Sequence, residues 1–163
     1  MFLAVLTREL EEWFAQLEKR LRLAKTKKAD PVVAVPRAIS STLSARPQLL
    51  ALLARLHGQL EMNSPEEDIR AFKTFLRDGL ERVGGVIGAT LGLDVDAGAR
   101  LLLMTHALTI GLGQMANPPA VVDRVLRTDP RLAVFACDFA GELARALESV
   151  LRGWAAGPRP HRP

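Results

Sequence analysis

Helical periodicity runs through nearly the whole sequence and constrains the fold more than any other feature. Apolar residues recur three and four positions apart between proline- and glycine-containing breaks, whereas no segment alternates apolar and polar residues long enough to predict a β-strand. The breaks include Asp-Pro at 30–31 and 129–130, and LGLDVDAG at 91–98. The sequence therefore predicts one all-α domain with seven helices, at 1–24, 31–44, 47–61, 65–91, 95–116, 118–127 and 131–155.

Residues with helix-capping side chains support several of these helix starts. Asp30 precedes a proline, and Asp94 precedes the most apolar segment of the chain. Ser64 is followed by a proline and then by Glu67, so that a capping box is predicted at the start of the fourth helix. Asp129, also followed by proline, is expected to begin the last helix. The proline-rich tail at 156–163 is expected to be disordered.

The composition excludes several classes of protein. Hydrophobic residues form 48% of the 163 residues, which argues against disorder, and a single cysteine excludes an intrachain disulfide framework. The apolar first residues lack a preceding basic segment and therefore do not form a signal peptide. The apolar stretch 101–116 contains His106 and Gln114 and is shorter than the roughly 20 residues of a membrane span. We therefore expect a cytoplasmic protein without a membrane partner.

The net charge of +4 is unevenly distributed along the chain. The segment KRLRLAKTKK at 19–28 contains six basic residues and no acidic residue. Such a segment can bind phosphate groups, but it is also typical of a solvated helix C-terminus, where positive charge is favourable. No aromatic residue interrupts it and no groove-reading motif accompanies it, so we favour the solvated helix end.

No motif predicts an enzyme, a metal site or a cofactor. The glycine-rich segment 82–92 lacks the Lys-Ser/Thr ending of a phosphate loop, and its glycines are expected to loosen a helix end or to let a neighbouring helix approach. His57 and Glu61 share a helical face, but a structural zinc site needs four ligands, so a pocket-edge pair is favoured. Cys137 has no histidine brought to it by any pattern in the sequence.

The helices at 95–116 and 131–155 carry more apolar surface than one small bundle can bury. Small residues at helical spacing in the last helix would let another helix approach closely. This excess predicts a homodimer interface, although the interior of a monomer could show the same pattern. The residues expected at the dimer interface are Leu101, Leu108, Leu112, Phe135, Phe139, Leu143 and Leu147.

A semi-polar stripe on the helix at 95–116 predicts a small-molecule pocket. Leu102, His106, Thr109 and Gly113 share this stripe in a helix that must be largely buried, and a buried polar group needs a partner. The partner could be a side chain, a water molecule or a ligand. If it is a ligand, the expected pocket combines apolar walls with a few polar groups, formed by His57, Glu61, Met62, Phe72, Phe75, His106, Thr109 and Gln114.

Four stretches, taken in order, resemble the C-terminal effector-binding and dimerisation domain of TetR-family transcriptional regulators. They are FLAVLTRELEEWFAQLEKRL, RPQLLALLARLHGQLEMNSPEEDIRAFKTFL, ARLLLMTHALTIGLGQMANPPAVV and DFAGELARALESVLRG. The resemblance covers most of residues 2–153. It implies a regulatory domain at 1–155, with an inducer pocket between the helices at 47–61, 65–91 and 95–116.

The resemblance also gives a meaning to the opening MFLAVLTRELEEWF, which starts a helical face with no capping residue before it. The segment 1–24 corresponds to the connecting helix that leads out of the N-terminal helix-turn-helix domain, here truncated and without that domain. The resemblance further implies that the last two long helices form the four-helix bundle of a homodimer. Effector binding would then change the separation of the two DNA-reading heads.

The first functional hypothesis is thus that the chain is the TetR-like regulatory domain of a repressor. This domain would bind a small hydrophobic effector and form a homodimer. Operator DNA would be bound only through the missing N-terminal domain. The alternative is a stand-alone helical dimerisation or interaction protein without DNA-binding activity. A helix-turn-helix encoded in frame upstream of Met1 would distinguish the first hypothesis from the second.

Overall fold

Helices form the fold of residues 2–25, 29–56 and 64–155, which are the residues described by the computed structural model. Within these ranges there is no β-strand, and the all-α prediction is confirmed. The described ranges contain seven α-helices and a 3₁₀ helix at Pro130–Phe135: α1 (Phe2–Lys25), α2 (Pro31–Ser44), α3 (Pro47–Arg55), α4 (Glu66–Leu91), α5 (Val95–Ala116), α6 (Ala120–Thr128) and α7 (Phe139–Ala155).

Two of the predicted caps are confirmed and one is wrong. The carboxylate of Asp30 accepts a hydrogen bond from the backbone N–H of Val32 at 3.0 Å, and that of Asp94 accepts one from Ala97 at 2.7 Å. At α4 the N-cap is Pro65 instead of Ser64. The predicted capping box is therefore one residue out of register, because its acidic residue must be the third of the helix and here that residue is Asp68.

The single helix predicted at 131–155 is also wrong. Asp129 caps a 3₁₀ helix, and the chain then becomes extended at Ala136, with φ −68° and ψ 128°. The carboxylate of Asp138 accepts a hydrogen bond from the N–H of Gly141 at 3.2 Å and so caps a new helix, α7. A side chain that satisfies an orphan N–H at a helix start can end one helical pattern and begin another, even where the apolar spacing continues.

The core forms around α1, which packs against α2 and α4. Its buried face contains an aromatic pair, Trp13 and Phe14, between leucines on either side. α5 packs most extensively against α4 and also contacts α3 and α7, and α7 lies against α2. The buried apolar side chains of α1, α4, α5 and α7 include Leu6, Leu17, Leu21, Val83, Ile87, Leu101, Leu143 and Leu147.

Glycines allow the backbones of α4 and α5 to touch. A Cβ atom on Gly98 would overlap the carbonyl oxygen of Gly84, and a Cβ atom on Gly84 would lie 2.7 Å from the backbone nitrogen of Ala99. Gly88 similarly faces the backbone of Asp94. The prediction that the glycine-rich segment lets a neighbouring helix approach is therefore confirmed, and this contact positions the buried face of α5.

Residues 120–135, which comprise α6 and the 3₁₀ helix, form an arm with no buried residue. α6 packs chiefly against the 3₁₀ helix. The arm carries exposed apolar side chains, namely Val121, Val122, Val125, Val134 and Phe135.

Among the described helices, α5 alone is long and apolar enough to cross a membrane by length and composition. Its most apolar 18-residue window has a mean hydropathy of 1.2, and 28% of that window is buried in the chain. The same pattern occurs in core helices of soluble proteins. In this structure α5 packs against α3, α4 and α7.

Several predictions fall on residues outside the described ranges. These are the end of the helix predicted at 47–61, residues 26–28 of the basic segment, and the tail at 156–163. Within the described part of the basic segment, Lys19, Arg20 and Arg22 are exposed, as the solvated helix end requires.

Candidate ligand-binding cavity

A cavity of about 200 Å³ lies between α1, α3, α4 and α5. α1 contributes Leu10, Trp13 and Phe14 to its wall, and α2 adds Leu43. Two further leucines come from the end of α3 and the residue that follows it, Leu53 and Leu56. These side chains are all buried and apolar.

Aromatic contacts fix the position of this wall. The ring centroids of Trp13 and Phe14 are 5.2 Å apart, and those of Phe14 and Phe75 are 6.3 Å apart. Phe72 stacks on Phe75 from the same helix, with centroids separated by 6.5 Å. The indole N–H of Trp13 donates a hydrogen bond to Thr42 Oγ1 at 3.1 Å. Because this polar group is satisfied on α2, the cavity receives the apolar ring of Trp13.

The polar groups of the cavity come from α4 and α5. The two ionisable groups in the lining are Lys73 on α4, which is exposed, and His106 on α5, which is half-buried. Thr105 and Thr109 are both only 2% exposed. Thr105 Oγ1 donates to the carbonyl oxygen of Leu101 at 2.8 Å, whereas Thr109 Oγ1 has no hydrogen-bond partner among the described residues.

The structure brings together part of the predicted ligand site. Phe72, His106 and Thr109 line the cavity, together with Leu102 of the same semi-polar stripe. Phe75 packs behind the lining against other aromatic rings. Gln114 is exposed and does not line the cavity. The remaining three predicted ligand residues lie outside the described ranges, and they are His57, Glu61 and Met62.

Sequence reasoning missed the contribution of α1. Its apolar stripe predicts a buried helix face but does not say which other helix this face meets. The signal available was the adjacent Trp13 and Phe14, because small-molecule pockets are lined mainly by hydrophobic and aromatic side chains.

The residues predicted at a dimer interface occupy two different environments. Leu101, Leu143 and Leu147 have 0% exposure and belong to the interior of one chain, so they offer no surface to a partner. Leu108, Leu112 and Phe139 are half-buried, and Phe135 is 57% exposed. Further apolar surface on α5 comes from three exposed side chains that the prediction did not include, Val95, Leu103 and Met115.

Ion pairs attach α1 to the helices that surround the cavity. Arg46, in the turn between α2 and α3, contacts the carboxylates of Glu9 and Glu12, each at 2.9 Å. The Arg46 and Glu9 side chains are largely buried, with 19% and 12% exposure. Further along α1, Glu18 pairs with Arg82 of α4. A movement of α1 therefore has to break or stretch these contacts.

Cys137 lies in the loop between the 3₁₀ helix and α7, and its thiol is 3.8 Å from the carbonyl oxygen of Leu112. Burial raises the pKa of this thiol, and the charges of Glu142 and Asp138 raise it further. A raised pKa disfavours the thiolate form that acts as a nucleophile. In the described ranges, no three His, Cys, Asp or Glu side chains are placed to hold a metal ion together.

Comparison with known proteins agrees with this architecture. The family model for the tetracyclin repressor-like C-terminal domain matches residues 7–158, and it therefore covers nearly all of the chain. A search of the curated proteins finds no match. Domains of this family belong to regulators. The helical fold and the family match agree, and the chain belongs to the tetracyclin repressor-like C-terminal domain family.

Proposed function

We propose that the chain is the effector-binding and dimerisation domain of a TetR-family repressor, and that its effector is a small, largely hydrophobic molecule held in the cavity. The observation that carries this proposal is that α1 forms part of the cavity wall through Leu10, Trp13 and Phe14. In the resembling regulators the corresponding helix leads to the DNA-binding domain. A molecule in the cavity would thus contact directly the helix through which its presence has to be transmitted.

The proposed switch is a shift between two positions of α1. A ligand can shift such an equilibrium only through its different affinity for the two states. Contacts with Trp13 and Phe14 would provide that difference, while the ion pairs from Arg46 would favour the position of α1 in this structure. In the regulator, movement of α1 would change the distance between two helix-turn-helix domains on operator DNA.

Dimerisation is proposed through α5 and α7. Leu108 and Leu112 of α5 are half-buried, and Gly111 on the same helix has open space where a side chain would be. On α7, Gly153 also faces open space. Small residues on an incompletely covered apolar face suit close packing against a second pair of helices. Residues 1–155 would form this cytoplasmic regulatory unit, with α1 as the connecting helix.

Distance measurements between spin labels on the two α1 helices test the proposal. The labelled variant is Arg8→Cys in a Cys137→Ser background, examined with and without a hydrophobic compound that raises the melting temperature. We expect a dimer in which the distance between the two labels changes on ligand binding. A label at the exposed Ser41 of α2, introduced as Ser41→Cys, is the matched control and should move less. A monomer, or an unchanged α1 distance with ligand bound, would contradict the proposal.

A second candidate function is a stand-alone helical interaction protein, and the exposed apolar side chains of the arm at 120–135 support it. This candidate needs no ligand-dependent movement of α1. It predicts that the chain dimerises while the distance between the α1 labels stays constant with every compound that binds.

A further inference from the structure

We infer that the effector is a neutral, ring-containing molecule with one hydrogen-bonding group, and that Thr109 Oγ1 is the protein group that pairs with it. The inference rests on the proposed function of the cavity. It begins from the different environments of two threonines on α5. Thr105 and Thr109 are equally buried and four residues apart, and both line the cavity.

Only one of these two hydroxyl groups is satisfied by the described part of the chain. Thr105 Oγ1 donates to the carbonyl oxygen one helical turn earlier, as buried threonines in helices commonly do. Thr109 Oγ1 has no such partner. Buried side-chain polar groups nearly always have a hydrogen-bond partner, so an unpaired hydroxyl on a cavity wall indicates the place of a ligand polar atom. A hydroxyl can donate or accept, so either kind of ligand group would suit.

The rest of the buried wall favours a neutral molecule. The indole N–H of Trp13 is already paired with Thr42. The ionisable lining residues are Lys73, which is exposed, and His106, which is half-buried. A charged group placed deep among leucine and phenylalanine side chains would lose its hydration without a compensating opposite charge. A single neutral polar group near Thr109 would avoid that cost.

The size and shape of the cavity narrow the class further. An apolar cavity of about 150 Å³ holds a molecule of the size of benzene. The volume of about 200 Å³ therefore suits one ring with a short substituent, or two fused rings. Trp13, Phe14 and Phe72 present aromatic surface to it, and aromatic side chains pack favourably against flat rings.

Binding of three matched probes to the full chain tests the inference. The probes are 4-propylphenol, propylbenzene and 4-propylbenzoate. The Trp154→Phe background leaves Trp13, in the cavity wall, as the fluorescent reporter. We expect 4-propylphenol to bind about tenfold more tightly than propylbenzene, the ratio that corresponds to one net hydrogen bond. The benzoate should bind more weakly than the phenol.

The decisive variant is Thr109→Val, which keeps the shape of the side chain and removes its hydroxyl. We expect it to abolish the preference for the phenol over propylbenzene and to leave the affinity for propylbenzene unchanged. The ligand-free variant should melt no lower than the parent, because an unpaired buried hydroxyl is lost. The matched control, Thr105→Val, loses a hydrogen bond made within the helix, so it should melt lower and keep the preference for the phenol.

Three outcomes would overturn the inference. The first is an unchanged preference for the phenol over propylbenzene in Thr109→Val. The second is tighter binding of the benzoate than of the phenol, which would place the polar group near Lys73 and His106. The third is no binding of the phenol. The proposed function is judged separately. Binding of propylbenzene or of another hydrophobic compound in the cavity, with movement of α1, would support it even if Thr109 has no role.

Discussion

Single residues at the crossing of α4 and α5 determine how closely these helices pack. Because a Cβ atom on Gly98 would overlap the Gly84 carbonyl oxygen, we expect Gly98→Ala to push the two backbones apart. The free energy of unfolding should fall by about 1–3 kcal/mol, the usual cost of overpacking, or by more. Chemical denaturation monitored by circular dichroism measures this change.

Gly85→Ala is the matched control for this prediction. It lies beside Gly84 on α4, and its new Cβ atom would have only Val95 within ordinary contact, at 3.9 Å. Alanine is the better helix former, so this variant should gain about 0.5–1 kcal/mol. Equal destabilisation of both variants would show that the backbone contact at the crossing does not explain the loss of stability in Gly98→Ala.

The thiol of Cys137 provides a residue-scale prediction that depends on pH. Its pKa is raised by burial and by two nearby carboxylates, so less thiolate is present at any given pH. The alkylation rate with iodoacetamide should reach half its maximum above pH 8.5 or so, the ordinary pKa of cysteine. Glu142→Gln removes one of the negative charges and should lower this midpoint. A midpoint in the parent at or below the ordinary value would contradict the assignment.

At the scale of elements, α1 is attached to the turn before α3 by the contacts of Arg46 with Glu9 and Glu12. We expect Arg46→Met to lower the free energy of unfolding by about 1–2 kcal/mol, because it leaves the largely buried Glu9 carboxylate unpaired. Urea denaturation checks the value. The control is Arg77→Met, whose ion pair with Asp78 is exposed on both sides, so its loss should leave the free energy of unfolding almost unchanged.

The segments that form helices could be predicted from the apolar periodicity, but two helix boundaries could not. The apolar spacing from Phe135 to Phe139 continues as if one helix ran through, although the carboxylate of Asp138 caps a new helix at that point. At Ser64 the residue types of a capping box are present, but their register differs by one position from the helix that forms. Both errors arise because a cap depends on the local backbone geometry, which apolar spacing does not report.

At the scale of the whole molecule, a minor part of the candidate cavity could be predicted. The semi-polar stripe on α5 predicts Thr109 and His106 in a pocket, and the structure places both in the lining. The wall formed by Trp13 and Phe14 depends on which helix packs against α4, and one sequence contains no direct signal of that pairing. For the same reason Leu101 and Leu143 were predicted at a dimer surface, whereas both are in the interior of the chain.

The proposed dimer gives a prediction at this scale. Light scattering after size-exclusion chromatography should give a mass about twice the 17.8 kDa of the chain. Gly111→Arg should yield a folded monomer, because the position has open space within the chain but would face the partner helices. The control, Ala89→Arg, changes an exposed position of α4 and should leave the dimer intact. A dimer that tolerates Gly111→Arg would place the interface elsewhere.

The arm at 120–135 has a consequence for the energetics of partial opening. Because none of its residues is buried, the arm can unfold while the core of α1, α4, α5 and α7 remains intact. Its amides should therefore exchange with solvent deuterium through local openings that cost much less than global unfolding. The single chain thus has two levels of cooperativity, a core that opens as a unit and an arm whose protection would report directly on anything that covers its exposed valines.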